Sequence, residues 1–405
     1  MYEHAATLRG ARDAVISIAF SVQAKFLAAV GHGGMAIWEL QTSEIMPVLP
    51  PTPYNHRNPN LVYTACSWLH FEQGDRHCLL LGSQAGEFMF MEWDRTKSTF
   101  KLVCKVDAGQ HGNQILSIDV WQSEVAIGRL VRVVVATADQ RINVYSLSSA
   151  GDIKEIFSRV FSDFLLISAK FCKLTRDVYA FELNGGGIMR LHNKSGDIVS
   201  HQRFGPDPMG TICLDEQGKF FAVCTGQNFE LFRLENIENH MILRGDAPIV
   251  RYPKVATFAE DGKVLVGGTD NGRALVFDVM SGSRVQELAY PKGGLVQPVA
   301  ACTCKDGFLI AMAGSVTESP ADLVLYKKKF NEDTACPESD GMATVYPSVP
   351  SLSLKHSIIM LFGSLIMFNG IYHLMTACLP WVGSTVAYIT EEARQAAQGR
   401  YNNAY

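Results

Sequence analysis

The chain has 405 residues, of which 47% are hydrophobic and 19% are charged, and its formal net charge is −4. This composition excludes a disordered chain and a polytopic membrane protein, and the length allows one large domain or two to three smaller ones. The only tight basic run is Lys327, Lys328 and Lys329, so nucleic-acid binding is not expected. Residues 1–15 carry Glu3 and Asp13 and lack the apolar stretch of a secretory signal, which favours a cytosolic location.

A three-strand pattern recurs along the chain. Its first copy, residues 15–40, reads VISIAFSVQAKFLAAVGHGGMAIWEL. Short alternating or apolar runs are separated there by polar and glycine turns, which is typical of an antiparallel meander. The pattern returns most clearly at 212–234 and 255–280, where EQGK and EDGK make the first turns. Weaker copies lie at 62–93, 115–147, 165–192 and 298–326.

Each copy has an anchor residue near the end of its third strand, and successive anchors are 41 to 54 residues apart. The anchors are Trp38, Met91 with the neighbouring Trp93, Tyr145, Leu191, Phe232, Phe277 and Tyr326. Such a period with short strands is typical of propeller blades, so residues 1–330 are predicted to form an all-β, seven-bladed β-propeller. Since the last copy lacks a fourth strand, residues 2–10 are expected to supply it and to remove the free sheet edge.

The pairs Trp38-Glu39, Trp93-Asp94 and Phe277-Asp278, together with the turn Asn271-Gly272, resemble a degenerate WD-repeat β-propeller. The resemblance implies that His111 forms a hydrogen-bonded group within its blade. Its implied partners are Thr137 and Asp139. The family also docks partners through loops that precede first strands or join second to third strands. The resemblance therefore implies these candidates for partner binding: Arg12, His111, Asn113, Arg251 and Asn271.

Enzymatic chemistry is not expected from the motifs. The glycine-rich stretches GHGG, NGGG and GGTDNG lack the Gly-Lys-Ser/Thr ending of a phosphate loop and are interpreted as turns. No two histidines have the helical zinc spacing with a Glu, and Cys302 and Cys304 have no second ligand pair. We therefore expect no metal, no cofactor, no catalysis, and reduced thiols. The segment PVLPPTP at 47–53 is either a stiff connector or a polyproline docking site.

The C-terminal region changes character. Residues 331–356 are rich in Pro, Ser, Asp and Glu and are expected to form a flexible linker. Residues 358–379 contain no Asp, Glu, Lys or Arg, and as a helix they would be about 33 Å long, enough to cross a bilayer. We therefore expect a transmembrane helix over 357–381 and a short tail over 382–405.

This predicted helix would hold the propeller on the cytosolic side of an intracellular membrane, such as that of the endoplasmic reticulum. Asn369 and His373 are four residues apart and would lie on one face of this helix. Either they contact another helix, which would give self-association, or the membrane span tolerates these two uncharged polar groups without a partner.

Three functions are compatible with this architecture. The leading hypothesis is a non-catalytic scaffold that binds proteins or peptides through propeller loops while tethered to a membrane. An alternative is a membrane-anchored regulator, because the exchange factor for the coat-recruiting small GTPase is similarly a propeller followed by one span. The third is a hydrolase or ligand-binding propeller with a site in its central channel.

Overall fold

The computed structural model describes residues 1–50, 55, 57–109, 112–250 and 254–330, which belong to one compact unit. Their regular structure is almost entirely β-strand, with two short 3-10 helices at Val22–Ala24 and Glu260–Gly262. The all-β prediction is therefore confirmed, and the strands have a β-propeller arrangement. The expected linker, helix and tail, at 331–356, 357–381 and 382–405, lie outside the described residues.

The strands of the described residues form seven sheets, numbered here in chain order. Strand β1 (Glu3–Ala11) comes first and joins the last sheet. Sheet 1 contains β2 (Val15–Phe20), β3 (Phe26–Gly31), β4 (Gly34–Glu39) and β5 (Glu44–Ile45). Sheet 2 contains β6 (Val48–Leu49), β7 (Tyr63–Phe71), β8 (Arg76–Ser83), β9 (Glu87–Asp94) and β10 (Thr99–Asp107). Sheet 3 contains β11 (Ile115–Val120), β13 (Val131–Thr137), β14 (Arg141–Leu147) and β15 (Ile153–Val160), while β12 (Glu124–Val125) joins sheet 2.

The remaining sheets repeat the four-stranded antiparallel order. Sheet 4 contains β16 (Leu166–Phe171), β17 (Val178–Glu182), β18 (Ile188–Leu191) and β19 (Ile198–Gln202). Sheet 5 contains β20 (Ile212–Leu214), β21 (Phe220–Cys224), β22 (Phe229–Arg233) and β23 (Asn239–Leu243). Sheet 6 contains β24 (Ala256–Ala259), β25 (Val264–Gly268), β26 (Arg273–Asp278) and β27 (Arg284–Ala289). Sheet 7 contains β28 (Val299–Cys304), β29 (Gly307–Ala313), β30 (Ala321–Lys329) and β1.

The expected seven-bladed propeller needs correction, because only six of these sheets are regular four-stranded blades. Sheet 2 has six strands, in the order β12-β7-β8-β9-β10-β6. The short strands β6 and β12 lie in the connections 46–62 and 121–130, and they pair in parallel with β10 and β7. Strands β6 and β12 occupy the two edges of sheet 2, so this part of the ring does not repeat the four-strand unit.

The core lies between neighbouring sheets. First strands of successive sheets contact one another around the ring, and a hydrophobic cluster fills each junction of the described sheets. At the junction of sheets 1 and 2, Phe26 packs against Trp68 and Phe100 with ring centroids 5.9 and 5.2 Å apart. The indole nitrogen of Trp68 donates a hydrogen bond to the carbonyl of Ala19 across this junction, at 2.9 Å. Apolar packing and a satisfied polar group therefore join the two sheets.

The anchor residues all lie on the third strands of their sheets. Buried side chains belong to Trp38, Met91, Tyr145, Leu191, Phe232 and Phe277. The side chains of Trp93 and Tyr326 are half-buried. Their regular spacing in the sequence therefore corresponds to a repeated position in the sheets.

The chain ends of the described propeller meet in sheet 7. Strand β1 pairs antiparallel with β30, from Glu3 opposite Lys327 to Ala11 opposite Ala321. The side-chain amide of Gln286, in sheet 6, donates to the carbonyl of Tyr2 at 2.6 Å and accepts from its backbone N–H at 2.8 Å. The N-terminal strand is thus bonded to one sheet and held by the next.

The single-pass membrane protein expected from the sequence is not supported. Within the described residues, no helix is long and apolar enough to cross a membrane. The segment 358–379 and its residues Asn369 and His373, on which that prediction and the self-association hypothesis depended, lie outside the described ranges.

All eight cysteines in the described part of the chain are free thiols, as expected. Burial raises the pKa of Cys66 to about 12, and it raises the pKa of Cys213 to about 12 as well. Both thiols are therefore protonated at neutral pH, and nucleophilic chemistry is not favoured at either position.

Replacement of Leu8 by Ala should destabilise the propeller by about 2–5 kcal/mol, because this side chain is buried between β1 and its neighbours. Urea unfolding of the full chain measures the change. The matched control is Arg9→Ala on the exposed side of the same strand, with an expected change within about 0.5 kcal/mol. Equal losses from the two substitutions would show that β1 does not depend on the buried side of its pairing.

Candidate interaction face

The connections of the propeller are divided between two faces. Because successive strands within each sheet are antiparallel, the connections from second to third strands lie at the same end as those leading to the next sheet. We call this end the upper face. The connections from first to second and from third to fourth strands make the lower face.

The described partner-binding candidates lie on the upper face. Arg12 is in the connection from β1 to β2, Asn113 is in that from β10 to β11, and Asn271 is in that from β25 to β26. These connections belong to three different sheets, so the residues share a face without sharing a loop. His111 and Arg251 lie outside the described residues.

The backbone beside Arg12 is fixed at the seam of the ring. The neighbouring Asp13 is buried, and its Oδ1 accepts hydrogen bonds from the backbone N–H of Ala14 at 2.7 Å and of Glu318 at 2.6 Å. The second bond joins the β1–β2 connection to the β29–β30 connection. The exposed Arg12 therefore lies on a backbone segment that is bonded to the β29–β30 connection.

Sheet 3 carries an internal polar group that includes Thr137 and Asp139, while their implied partner His111 lies outside the described residues. Thr137 Oγ1 donates to Asp139 Oδ1. The buried Asn143 donates from Nδ2 to the carbonyl of Ala108, shortly before the position of His111. These bonds are made within sheet 3 and the connection from β10 to β11, so they stabilise the blade. The same polar atoms are therefore less able to bind a ligand.

A buried ion pair organises the upper end of sheet 6. Lys254 Nζ lies 2.8 Å from Asp270 Oδ2, and the two side chains are 5% and 0% exposed. The same oxygen accepts hydrogen bonds from the backbone N–H groups of Ile249 and Val250 at 3.0 and 2.9 Å, while Lys254 donates to the carbonyl of Val250 at 2.5 Å. The pair therefore fixes the end of the 244–250 segment, and its mutual bonds offset part of the desolvation cost.

Next to this ion pair, four charged side chains form a closed network. Arg273 contacts Asp246 and Glu287, each at 2.9 Å. Arg284 contacts the same two carboxylates at 3.0 and 2.8 Å. Partial burial acts to raise the pKa of Asp246, but the hydrogen bond and charge of Arg273 prevail and hold that pKa below its ordinary value. The carboxylate stays ionised at neutral pH and its charge is matched.

Two large apolar side chains project from the connections on either side of sheet 5. Phe204 is 76% exposed and Ile249 is 72% exposed. The backbone beside Phe204 is held by a hydrogen bond from Gly205 N–H to the carbonyl of Gly186, at 3.0 Å. Gly186 has φ +65°, and a Cβ there would lie only 2.4 Å from the carbonyl oxygen of Gly205, so glycine is required for this approach. We call Phe204, Ile249 and the partly exposed Val250 the sheet 5 flank.

The sequence reasoning missed the sheet 5 flank and the ion pair. In the sequence, Asp270 reads only as part of the turn TDNG. Lys254 is an isolated charge before an apolar strand, and this position was the available indication of a buried ion pair. A third omission is the group His70, Asp75 and His77 on the lower face, within HFEQGDRH. The helical histidine spacing of zinc sites does not describe this hairpin, which uses positions i, i+5 and i+7.

This lower-face group has perturbed acid–base properties. Burial lowers the pKa of His77 to about 4, with the nearby charges of His70 and Lys25 acting in the same direction. The hydrogen bond with His70 lowers the pKa of Asp75. At neutral pH the buried imidazole is therefore neutral and the carboxylate is ionised.

In comparisons with known proteins, no family model matches the chain. A search of curated proteins likewise finds no match. The β-propeller arrangement is therefore supported by the strands of the described residues, and membership of the WD-repeat family is not shown.

Asp270→Ala should lower the stability of the full chain by about 3–5 kcal/mol, since it leaves the ammonium of Lys254 buried and unpaired. Replacing both partners, with Lys254→Met and Asp270→Leu, should recover much of the loss because no buried charge is left. Urea unfolding at neutral pH measures both changes. As a control, Asp197→Ala breaks the exposed Arg159–Asp197 pair and should cost less than about 1 kcal/mol. A similar small loss for Asp270→Ala would contradict the role given to the pair.

Proposed function

We propose that this protein is a non-catalytic interaction scaffold whose upper face binds a partner protein through the sheet 5 flank. The observation that carries the proposal is the exposure of Phe204 and Ile249 on backbone segments that are themselves fixed. Propeller folds are compatible with such a role, because their connections are supported by a rigid ring of sheets.

The fixed backbone favours binding for a physical reason. Aromatic and aliphatic side chains at the centre of an interface contribute much of its binding energy once water is excluded. Ordering a mobile loop on binding would oppose association, whereas the segment carrying Ile249 is already bonded to Asp270. The sheet 5 flank therefore combines apolar area with a low ordering cost.

Polar residues of the same face suit the rim of such an interface. Arg12, Asn113 and Asn271 are proposed as rim contacts, and His111 and Arg251 keep the same proposed role from the sequence. Rim residues adjust orientation and association rate more than affinity.

The charged network beside sheet 6 does not offer a catalytic acid or base, in agreement with a scaffold role for the upper face. Arg273 and Arg284 each bridge Asp246 and Glu287, so the four groups neutralise one another. A general acid or base needs a proton-transfer position open to substrate, and this network is committed to internal ion pairs.

Site-specific photo-crosslinking in cells tests the scaffold proposal. A photoreactive side chain at position 204 or 249 of the full chain should crosslink to a shared protein that is identifiable by mass spectrometry. The control position is 280, because Met280 is 85% exposed on the lower face. The partner recovered should bind a Phe204→Ser, Ile249→Ser double variant at least about 100-fold more weakly, as expected for two interface anchors. Undiminished binding by this variant, or the same crosslinks from position 280, would contradict the proposal.

A further inference from the structure

The hairpin of β7 and β8 places two histidines side by side on the lower face. His70 and His77 are direct cross-strand partners, so their side chains leave the same face of the sheet. Their rings are 4.6 Å apart between centroids and tilted by 36°. Asp75 occupies the turn between them and has φ +50°, a conformation that Asp and Asn tolerate better than most residues.

The donor atoms of these three residues converge. Asp75 Oδ1 lies 2.9 Å from His70 Nε2 and 3.7 Å from His77 Nε2, and the three ligand atoms all lie within 4.8 Å of one another. Two ligand atoms on one tetrahedral zinc ion are about 3.3 Å apart. The separations of 2.9 and 3.7 Å from Asp75 Oδ1 lie on either side of this value, so the three atoms are near the spacing that one ion requires.

The buried histidine supplies a second, independent observation. His77 is 6% exposed, and its Nδ1, which is not the nitrogen nearest Asp75, has no hydrogen-bond partner among the described residues. Its Nε2, at 3.7 Å from Asp75, is beyond hydrogen-bonding distance. The Nε2 of this buried imidazole therefore lies beside a carboxylate oxygen without a hydrogen bond to it, as a second ligand of a shared ion would.

The hairpin is also rigid enough to hold an ion. The backbone N–H of His70 donates to the carbonyl of Ser123 at 2.7 Å, and that of Glu72 donates to Val125 at 3.0 Å, so the extra strand β12 supports the hairpin. Phe26 packs edge-on against the His77 ring, with centroids 5.4 Å apart. Arg95 approaches only the other carboxylate oxygen, Oδ2, at 3.7 Å, which leaves Oδ1 to the histidines.

We propose that His70, Asp75 and His77 form a binding site for a divalent transition-metal ion, with zinc as the best match. Two imidazole nitrogens and one carboxylate oxygen are a borderline-soft donor set that suits Zn²⁺ and does not suit Ca²⁺ or Mg²⁺. Asp75 is half exposed, so water completes the coordination from the solvent side. The site is on the opposite face from the sheet 5 flank, and it does not depend on the proposed scaffold function.

Zinc titration of the full chain, in competition with a chromophoric chelator, tests this site. Wild-type protein should bind one Zn²⁺ per chain, and zinc should shift the imidazole NMR signals of His70 and His77. Asp75→Asn preserves the turn conformation and should weaken binding at least about tenfold. Asp75→His restores a third donor and should recover binding, which a purely structural role of Asp75 would not produce.

The matched control is Asp261→Asn. Asp261 is an exposed residue with φ +56° in the corresponding first turn of sheet 6, so the same chemical change is made in the same backbone conformation. This variant should bind zinc as the wild type does. The proposal is overturned by wild-type protein that binds no zinc at micromolar concentration, by equal affinity in Asp75→Asn, or by equal weakening in Asp261→Asn.

Discussion

The antiparallel pairing of β1 with β30 is the interaction on which the rest of the propeller depends. Each sheet buries its two surfaces only against its neighbours, so an opened ring would expose the junction between sheets 7 and 1 to water. That junction contains the buried side chains of Leu8, Trp38 and Leu323. Closure by main-chain hydrogen bonds therefore keeps the apolar surfaces between neighbouring sheets covered.

Buried and exposed ion pairs contribute differently to this structure. On the upper face, the Lys254–Asp270 pair is desolvated, yet it replaces the lost water with backbone hydrogen bonds from Ile249 and Val250. Exposed pairs such as Arg159 with Asp197 are screened by solvent and fix little. The buried pair therefore fixes the connection that carries Ile249 and Val250. This connection links the fold to the proposed interface.

Most of the architecture could be predicted because it follows from local patterns. Alternating apolar residues and turns such as EDGK at 260–263 specify strands, and the buried anchors Trp38 and Phe277 repeat because each third strand packs in the same environment. The enlargement of sheet 2 was not predictable in this way. Strands β6 and β12 have only two residues each, and their parallel pairing arises from tertiary contacts of long connections.

The candidate sites were harder to predict for the same reason. Asp270 and Lys254 are sixteen positions apart in sequence and meet only when β24 and β25 are paired. The exposure of Phe204 depends on how its connection approaches Gly186, which periodicity does not encode. His70 and His77 were missed for a related reason, since their proximity follows from the cross-strand register of β7 and β8.

The extra strands of sheet 2 have a consequence for how the molecule loses structure. Strand β12 comes from a connection of sheet 3, and β6 comes from the connection that follows sheet 1, so both edges of sheet 2 are bonded to chain that belongs to its neighbours. Sheets 4, 5 and 6 share no strand in this way. Fluctuations that open sheet 2 must therefore also release segments next to it, which makes the first three sheets one cooperative unit, whereas amides of sheets 4 to 6 can exchange with solvent through smaller, separate openings.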